Sequence, residues 1–215
     1  MAVKKQTQAA TTSRQAAYSA RNRARLIKDA QEVLAEIGPS ATIEQIAAHA
    51  EVSPTTVYKY FENKDELFVE ALGEAWVGFL ISANQFKAPG DRLESTLDSG
   101  RKLFWAGKTH PQFANMLHNC LNGMADFLVN SDNGEGRKVF HELAKSGDLK
   151  LDDFDKRFTV WTNIYTGILK SVFVTGELSP TEANTAFGIG LSVWGISEAK
   201  AKKLISRPLT FGPTE

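Results

Sequence analysis

The stretch "TIEQIAAHAEVSPTTVYKYFENKDELF", Thr42 to Phe68, decides the fold. Thr42 and Gln45 stand in the T-x-x-Q spacing of a capping box, so a helix starts at Thr42. Ile43, Ile46 and Ala47 supply its apolar side, and it ends near Ala50. Ser53 followed by Pro54 is a second start signal: serine accepts from the free backbone amides, and proline's fixed φ suits the first helical position. That helix ends near Phe61. Asn63 caps a longer helix, in which Leu67, Phe68, Ala71, Leu72, Ala75 and Phe79 repeat at helical spacing.

The short middle helix has two unlike sides. At about 100° per residue, Val57 and Phe61 fall together with Pro54 beside them and pack inward. Thr55, Thr56 and Lys59 fall on the opposite side, and Tyr58 and Tyr60 lie on the flanks. A helix of this size fits the major groove of DNA, where threonine and lysine can address base edges. Tyrosine hydroxyls at the rim suit phosphates. The preceding helix is joined by a short turn, as in a helix-turn-helix over about 42–61. The free amides at the starts of the helices at Thr42 and Asn63 can hold phosphates, and Lys64 adds charge there. A lysine in a first turn opposes the helix dipole, which an outside anion would relieve.

Upstream, Ile27, Ala30, Val33, Leu34 and Ile37 form one stripe of a helix starting near Arg21 and stopped by "GPS" at Gly38. Residues 1–19 form an arm rich in Ala, Thr, Gln and Ser that reads as flexible. No acidic residue precedes Asp29, whereas Lys4, Lys5, Arg14, Arg21, Arg23, Arg25 and Lys28 all do. The 215 residues sum to zero formal charge, so the basic start sits on an acidic remainder. That asymmetry suits a polyanion met at one end, with a solvated tail as the alternative.

Downstream of "KAPGD" at 87–91 the chain reads as helix after helix: 91–107, 111–130, 135–146, 152–176 and 180–206. No period-2 segment interrupts them, and the fold class is all-α. One cysteine, Cys120, excludes an internal disulfide. No run nears the ~18 apolar residues of a membrane span. Both features point to a cytoplasmic protein. His118 and Cys120, two apart on a helix, face different sides and make no thiol–imidazole dyad. His110, His118 and His141 lack metal spacing, and "DNGEG" lacks a phosphate loop's lysine. No catalytic constellation and no cofactor motif is present.

The helix with its terminal glycine, followed by "TIEQIAAHAEVSPTTVYKYFENKDELF", resembles the N-terminal module of the TetR (tetracycline-repressor) family over about Arg21 to Phe79. The I-A pair, the V-S start, the V-Y-x-Y-F run and the N-K-x-x-L opening fall in order. Glu51 departs from the pattern, standing where the family usually has glycine. A left-handed backbone there costs a non-glycine residue roughly 1 kcal/mol. The "GPSA" connection is also slightly short.

The resemblance implies a three-helix DNA-binding domain over 20–80, an effector-binding and dimerisation domain over 81–207, and a tail, 208–215. It implies a homodimeric regulator, usually a repressor, on a near-palindromic operator, released by a small molecule. Thr55, Thr56 and Lys59 would contact bases. Thr42, Ser53, Tyr58, Tyr60 and Lys64 would contact phosphates.

An effector pocket would draw on Trp105, Phe113, Met116 and Cys120, and on Met124, Phe127, Trp161 and Tyr165. Few charges lie among these residues, which points to an apolar or aromatic ligand. The last two long helices would pair across the dimer, around Thr166, Gly167, Lys170, Gly188, Ser192 and Gly195. Glycine inside a helix costs about 0.5–1 kcal/mol, and close approach of another helix would offset that. Packing within the chain, or a kink at "GIG", is the alternative explanation of the glycines. A second class fits the same residues: an all-α ligand-binding or protein-interaction module whose helix-turn-helix does not read DNA.

Overall fold

A computed structural model describes residues 2–86, 89–130 and 135–211, with side chains described at 15–86, 89–121 and 136–211. It is all-α. The helices are α1 Ala2–Ile37, α2 Ile43–His49, α3 Pro54–Val57, α4 Lys64–Gln85, α5 Arg92–Lys102, α6 Ala106–Thr109, α7 Pro111–Asn130, α8 Glu135–Lys145, α9 Phe154–Phe173, α10 Pro180–Gly190 and α11 Glu198–Ile205. Among the described residues no helix is long and apolar enough to cross a membrane.

The local signals hold. Thr42 and Gln45 form the reciprocal capping box of α2, Ser53 caps α3, and Asn63 caps α4. Ile43, Ile46, Ala47, Val57, Phe61, Leu67 and Phe68 are buried in one core with Leu26, Ile27, Ala30, Val33 and Leu34 of α1. Ile37, assigned to that stripe by spacing, is exposed, and Leu26 fills the core instead.

Glu51 keeps the left-handed backbone, with φ at 54°. The amides of Val52 and Glu51 donate to the carbonyls of Ala47 and Ala48, the paired bonds of a Schellman helix stop. The turn therefore has a glycine-type geometry without glycine.

Three sequence expectations need correction. The arm at 1–19 is not irregular: α1 runs unbroken from Ala2. Its alanines, glutamines, lysines and arginines favour helix, and no Gly or Pro occurs before Gly38. The helix expected at 91–107 is divided by a 3₁₀ turn at Leu103–Trp105. The long final helix is broken after Trp194, where Gly195 turns left-handed at φ 75° and Ser197 caps α11. Gly195 is thus a turn residue rather than a helix contact. Gly188 also serves the chain itself, because a Cβ there would sit 2.8 Å from Ile205 Cδ1.

The C-terminal body is held by rings and by one buried charge cluster. Phe104, Trp161, Tyr165 and Phe187 pack at centroid distances of 5.1–6.1 Å. The Tyr165 hydroxyl donates to the Gly100 carbonyl at 2.8 Å, and burial raises its pKa far above the phenol range. Asp98, Arg101 and Lys102 on α5 are all buried. Arg101 pairs with Asp98 at 2.7 Å and donates to the carbonyls of Leu204, Ile205 and Arg207. Burial lowers its pKa, and Asp98 opposes that shift.

Candidate nucleic-acid interface

Helix α3 starts at the Ser53 cap and is buried on one side only. Val57 and Phe61 are buried, so the backbone is pinned from within. Beyond Val57 the chain keeps turning: Tyr60 and Phe61 amides donate to the Val57 carbonyl at 2.9 and 3.1 Å. That leaves Thr55, Tyr58 and Lys59 exposed along one outer ridge, with Thr56 half-buried beside them. The Thr56 hydroxyl is not free, since it pairs with Ser53 Oγ at 2.9 Å. Ser53 Oγ also accepts from the Thr56 amide, so the Ser53 side chain is taken up by the cap.

The flanking residues divide. Tyr58 is 53% exposed. Tyr60 is half-buried, and its hydroxyl accepts from Asn22 Nδ2 at 3.2 Å, tying α1 to the turn that follows α3. Thr42 is exposed, and its hydroxyl accepts from the Gln45 amide. Lys64 contradicts the argument from the helix dipole. Its ammonium donates to the Pro39 and Ala41 carbonyls at 3.1 and 3.0 Å and lies over the Phe68 ring. Those carbonyls, not an external anion, answer its charge.

Part of the basic character of α1 also serves the module. Arg23 pairs with Glu70 and covers the Phe61 ring at 4.7 Å. The Glu70 bond raises the Arg23 pKa. Arg25 donates to the Ala50 carbonyl at 2.9 Å. Glu32 and His49 join α1 to α2 at 2.9 Å. With Asp29 they bring three ligand-type atoms within 4.8 Å of one another.

The residues proposed for an effector pocket are mostly packed core. Phe113, Met116, Cys120 and Trp161 are buried, and Trp105 and Tyr165 are half-buried among rings. Phe113 stacks on Phe79 at 4.8 Å. Cys120 Sγ lies against the Leu34 carbonyl, and burial pushes its pKa up to about 11. Met124 and Phe127 lie outside the described side chains. His118 is exposed, with Nδ1 at the Phe173 carbonyl, and makes no pair with Cys120. A cavity does exist, walled by other residues: Phe79, Ser82, Ala83, Phe86, Lys102, His110 and Phe211 are among them. Sequence reasoning missed it because its walls come from α4, α5, the α6–α7 corner and the C-terminal segment, with no common spacing.

The surface proposed for pairing is mixed. Thr166 is half-buried, while Gly167, Lys170, Ser192 and Gly195 are exposed and Gly188 is buried. A Cβ on Gly167 would meet nothing of this chain within 4 Å. Val160 and Ile189 are 48% and 73% exposed on α9 and α10.

An all-α chain whose capped, outward-facing third helix follows a tight Schellman turn has the architecture of the helix-turn-helix class. Residues 26–71 match the family model described as bacterial regulatory proteins, tetR family. The HTH-type transcriptional regulator TcmR of Streptomyces glaucescens is 29% identical over 151 residues, 65% of this chain and 67% of TcmR. The structure of RolR with resorcinol covers 91% of this chain and 98% of its own, with TM-score 0.69 and 20% identity. SmeT, the repressor of the Stenotrophomonas maltophilia efflux pump SmeDEF, covers 80% and 89%, with TM-score 0.60 and 16% identity. The N-terminal module is therefore that of the tetR family of bacterial regulatory proteins, over residues 26–71.

Proposed function

We propose that the chain is a ligand-responsive repressor that binds a near-palindromic operator as a homodimer, with α3 in the major groove. The observation that carries this is the outer ridge of α3: Thr55 and Lys59 are exposed on a helix whose other side, Val57 and Phe61, is fixed in the core. A rigid mount with adaptable polar tips is what base readout requires. Thr56 adds its methyl, its hydroxyl being shared with Ser53. Tyr58 and Thr42 are the exposed candidates for phosphate contact. Ser53, Tyr60 and Lys64 hold the reading head in shape and reach phosphate only at the cost of internal bonds.

In this reading residues 20–80 read DNA, and residues 81–207 bind the effector and pair the subunits. The pairing surface is the outward side of α9 and α10, with Val160, Thr166, Gly167, Lys170, Ile189 and Ser192. A two-fold operator needs a two-fold protein. The effector is a small apolar or aromatic molecule, in keeping with RolR, whose structure holds resorcinol.

The test is a gel shift on the DNA upstream of the gene, with sedimentation at micromolar concentration alongside. Thr55→Ala or Lys59→Ala should cost about 1–3 kcal/mol on the preferred sequence. Tyr58→Phe should weaken all sequences alike. No sequence preference at moderate salt, or a clean monomer, defeats the proposal.

A further inference from the structure

We propose that the cavity between the end of α4, the α6–α7 corner and the C-terminal segment Thr210–Phe211 is a binding site for a single-ring phenol. The inference deepens the regulator reading, on which it rests, by giving the effector a place and a chemical class.

Size selects one ring. The cavity measures about 160 Å³, and an apolar cavity of about 150 Å³ accepts benzene. The walls are aromatic where a ring would lie. Phe79, Phe86 and Phe211 line it, and Phe79 is fixed by its stack on Phe113 and by the edge of His110 at 5.2 Å. An aromatic guest gains from such faces and edges beyond simple burial.

The polar side selects a hydroxyl. Ser82 Oγ lies 2.9 Å from His110 Nε2, and His110 Nδ1 lies 2.9 Å from Thr109 Oγ1. All three residues line the cavity. Thr109 Oγ1 also donates to the Trp105 carbonyl at 3.3 Å, so it accepts from His110 Nδ1, and Ser82 Oγ donates to His110 Nε2. The Ser82 oxygen keeps a lone pair to accept from a ligand hydroxyl, which a phenol supplies and a plain hydrocarbon does not. Lys102 brings a positive charge to the same wall while donating to the Ala83 and Phe86 carbonyls. That charge favours the electron-rich oxygen of a phenol over a plain hydrocarbon.

The last wall is the chain's own end. Arg101 holds the carbonyls of Leu204, Ile205 and Arg207. Arg207 in turn pairs with Glu94 at 2.7 Å and donates to the Pro89 carbonyl at 2.8 Å. This clasp delivers Thr210 and Phe211 to the opening, where the Phe211 ring lies 6.3 Å from that of Trp105.

Calorimetric titration of the full chain with phenol and with resorcinol tests the site. One saturable site per chain is expected, with 2-naphthol excluded by size. Ala83→Leu fills the cavity and should lower affinity at least tenfold. Phe211→Ala, at the exposed rim, should do the same and serves if the first variant fails to fold. His110→Phe should abolish the preference for phenol over benzene. Absence of saturable binding by either probe, or affinity unchanged in both Ala83→Leu and Phe211→Ala, overturns the site. A gel shift on the same preparation separates the readings. Operator binding without phenol binding sinks this inference and leaves the regulator. Phenol binding lost in the cavity variants, without operator binding, upholds the site and sinks the regulator.

Discussion

Asn119 on α7 donates its side-chain amide to the backbone carbonyl of Ala35 on α1 at 2.7 Å, across 84 residues of sequence. The bond ties the last turn of α1 to the C-terminal body of the molecule. Gly38 sits against the same residue, in the left-handed region at φ 75°. A Cβ there would meet Asn119 Cβ at 3.1 Å and the Asn119 carbonyl oxygen at 3.3 Å.

Gly38→Ala should therefore suffer twice, from backbone strain and from crowding. A loss of about 1–3 kcal/mol is expected in urea unfolding. Asn119→Ala should lose about 1 kcal/mol through its hydrogen bond. A Gly38→Ala protein as stable as the wild type would show that the junction yields freely.

Glu51→Gly should stabilise. The glutamate occupies a left-handed helix stop where glycine has no Cβ penalty. The gain is at most about 1 kcal/mol, less the extra freedom glycine has when unfolded. In a chain of this length that is about 2–4 °C in melting temperature. A lower melting temperature would contradict the assignment of strain at this turn.

His49 bonded to Glu32 should titrate above its ordinary value of 6.5, the hydrogen bond to Glu32 being the main cause. The folded chain then holds the proton more tightly than the unfolded one. The resulting stability is fully present below pH 6.5 and is lost as pH rises through the folded value. NMR titration should show the His49 midpoint falling in Glu32→Gln. The stability gap between the two proteins should narrow from acid to mildly alkaline pH. An unmoved midpoint would mean the pair is absent in solution.

Arg101→Met should be costly because it leaves Asp98 buried with its close partner gone and frees three carbonyls. Breaking a buried pair costs roughly 3–5 kcal/mol, or about 10 °C in this size range. Asp98→Leu added to Arg101→Met should recover part of the loss. Limited proteolysis should release the C-terminal segment first in the single variant. Wild-type melting in Arg101→Met would deny the clasp any role.

The helix-turn-helix was legible in the sequence because its determinants are local. Thr42 with Gln45, Ser53 with Pro54, and Asn63 with Glu66 each act within one helical turn. The alternation of Val57 and Phe61 with Thr55 and Lys59 sets inside from outside by period alone. Gly195 followed by Ser197 also carried a stop and a start, yet the apolar run concealed the break.

What the tertiary structure alone decided are the bonds between distant residues. Lys64 reads as a cation awaiting phosphate until the carbonyls of Pro39 and Ala41 close on it. Arg101 is buried on α5 only because Leu204, Ile205 and Arg207 return to it with their carbonyls. The cavity exists only where Phe79, His110 and Phe211 meet from separate elements. Capping and periodicity follow from the rigid geometry of one helix, so the residues themselves specify them. The partner of a long side chain depends on which element is packed beside it, and no spacing along the chain encodes that.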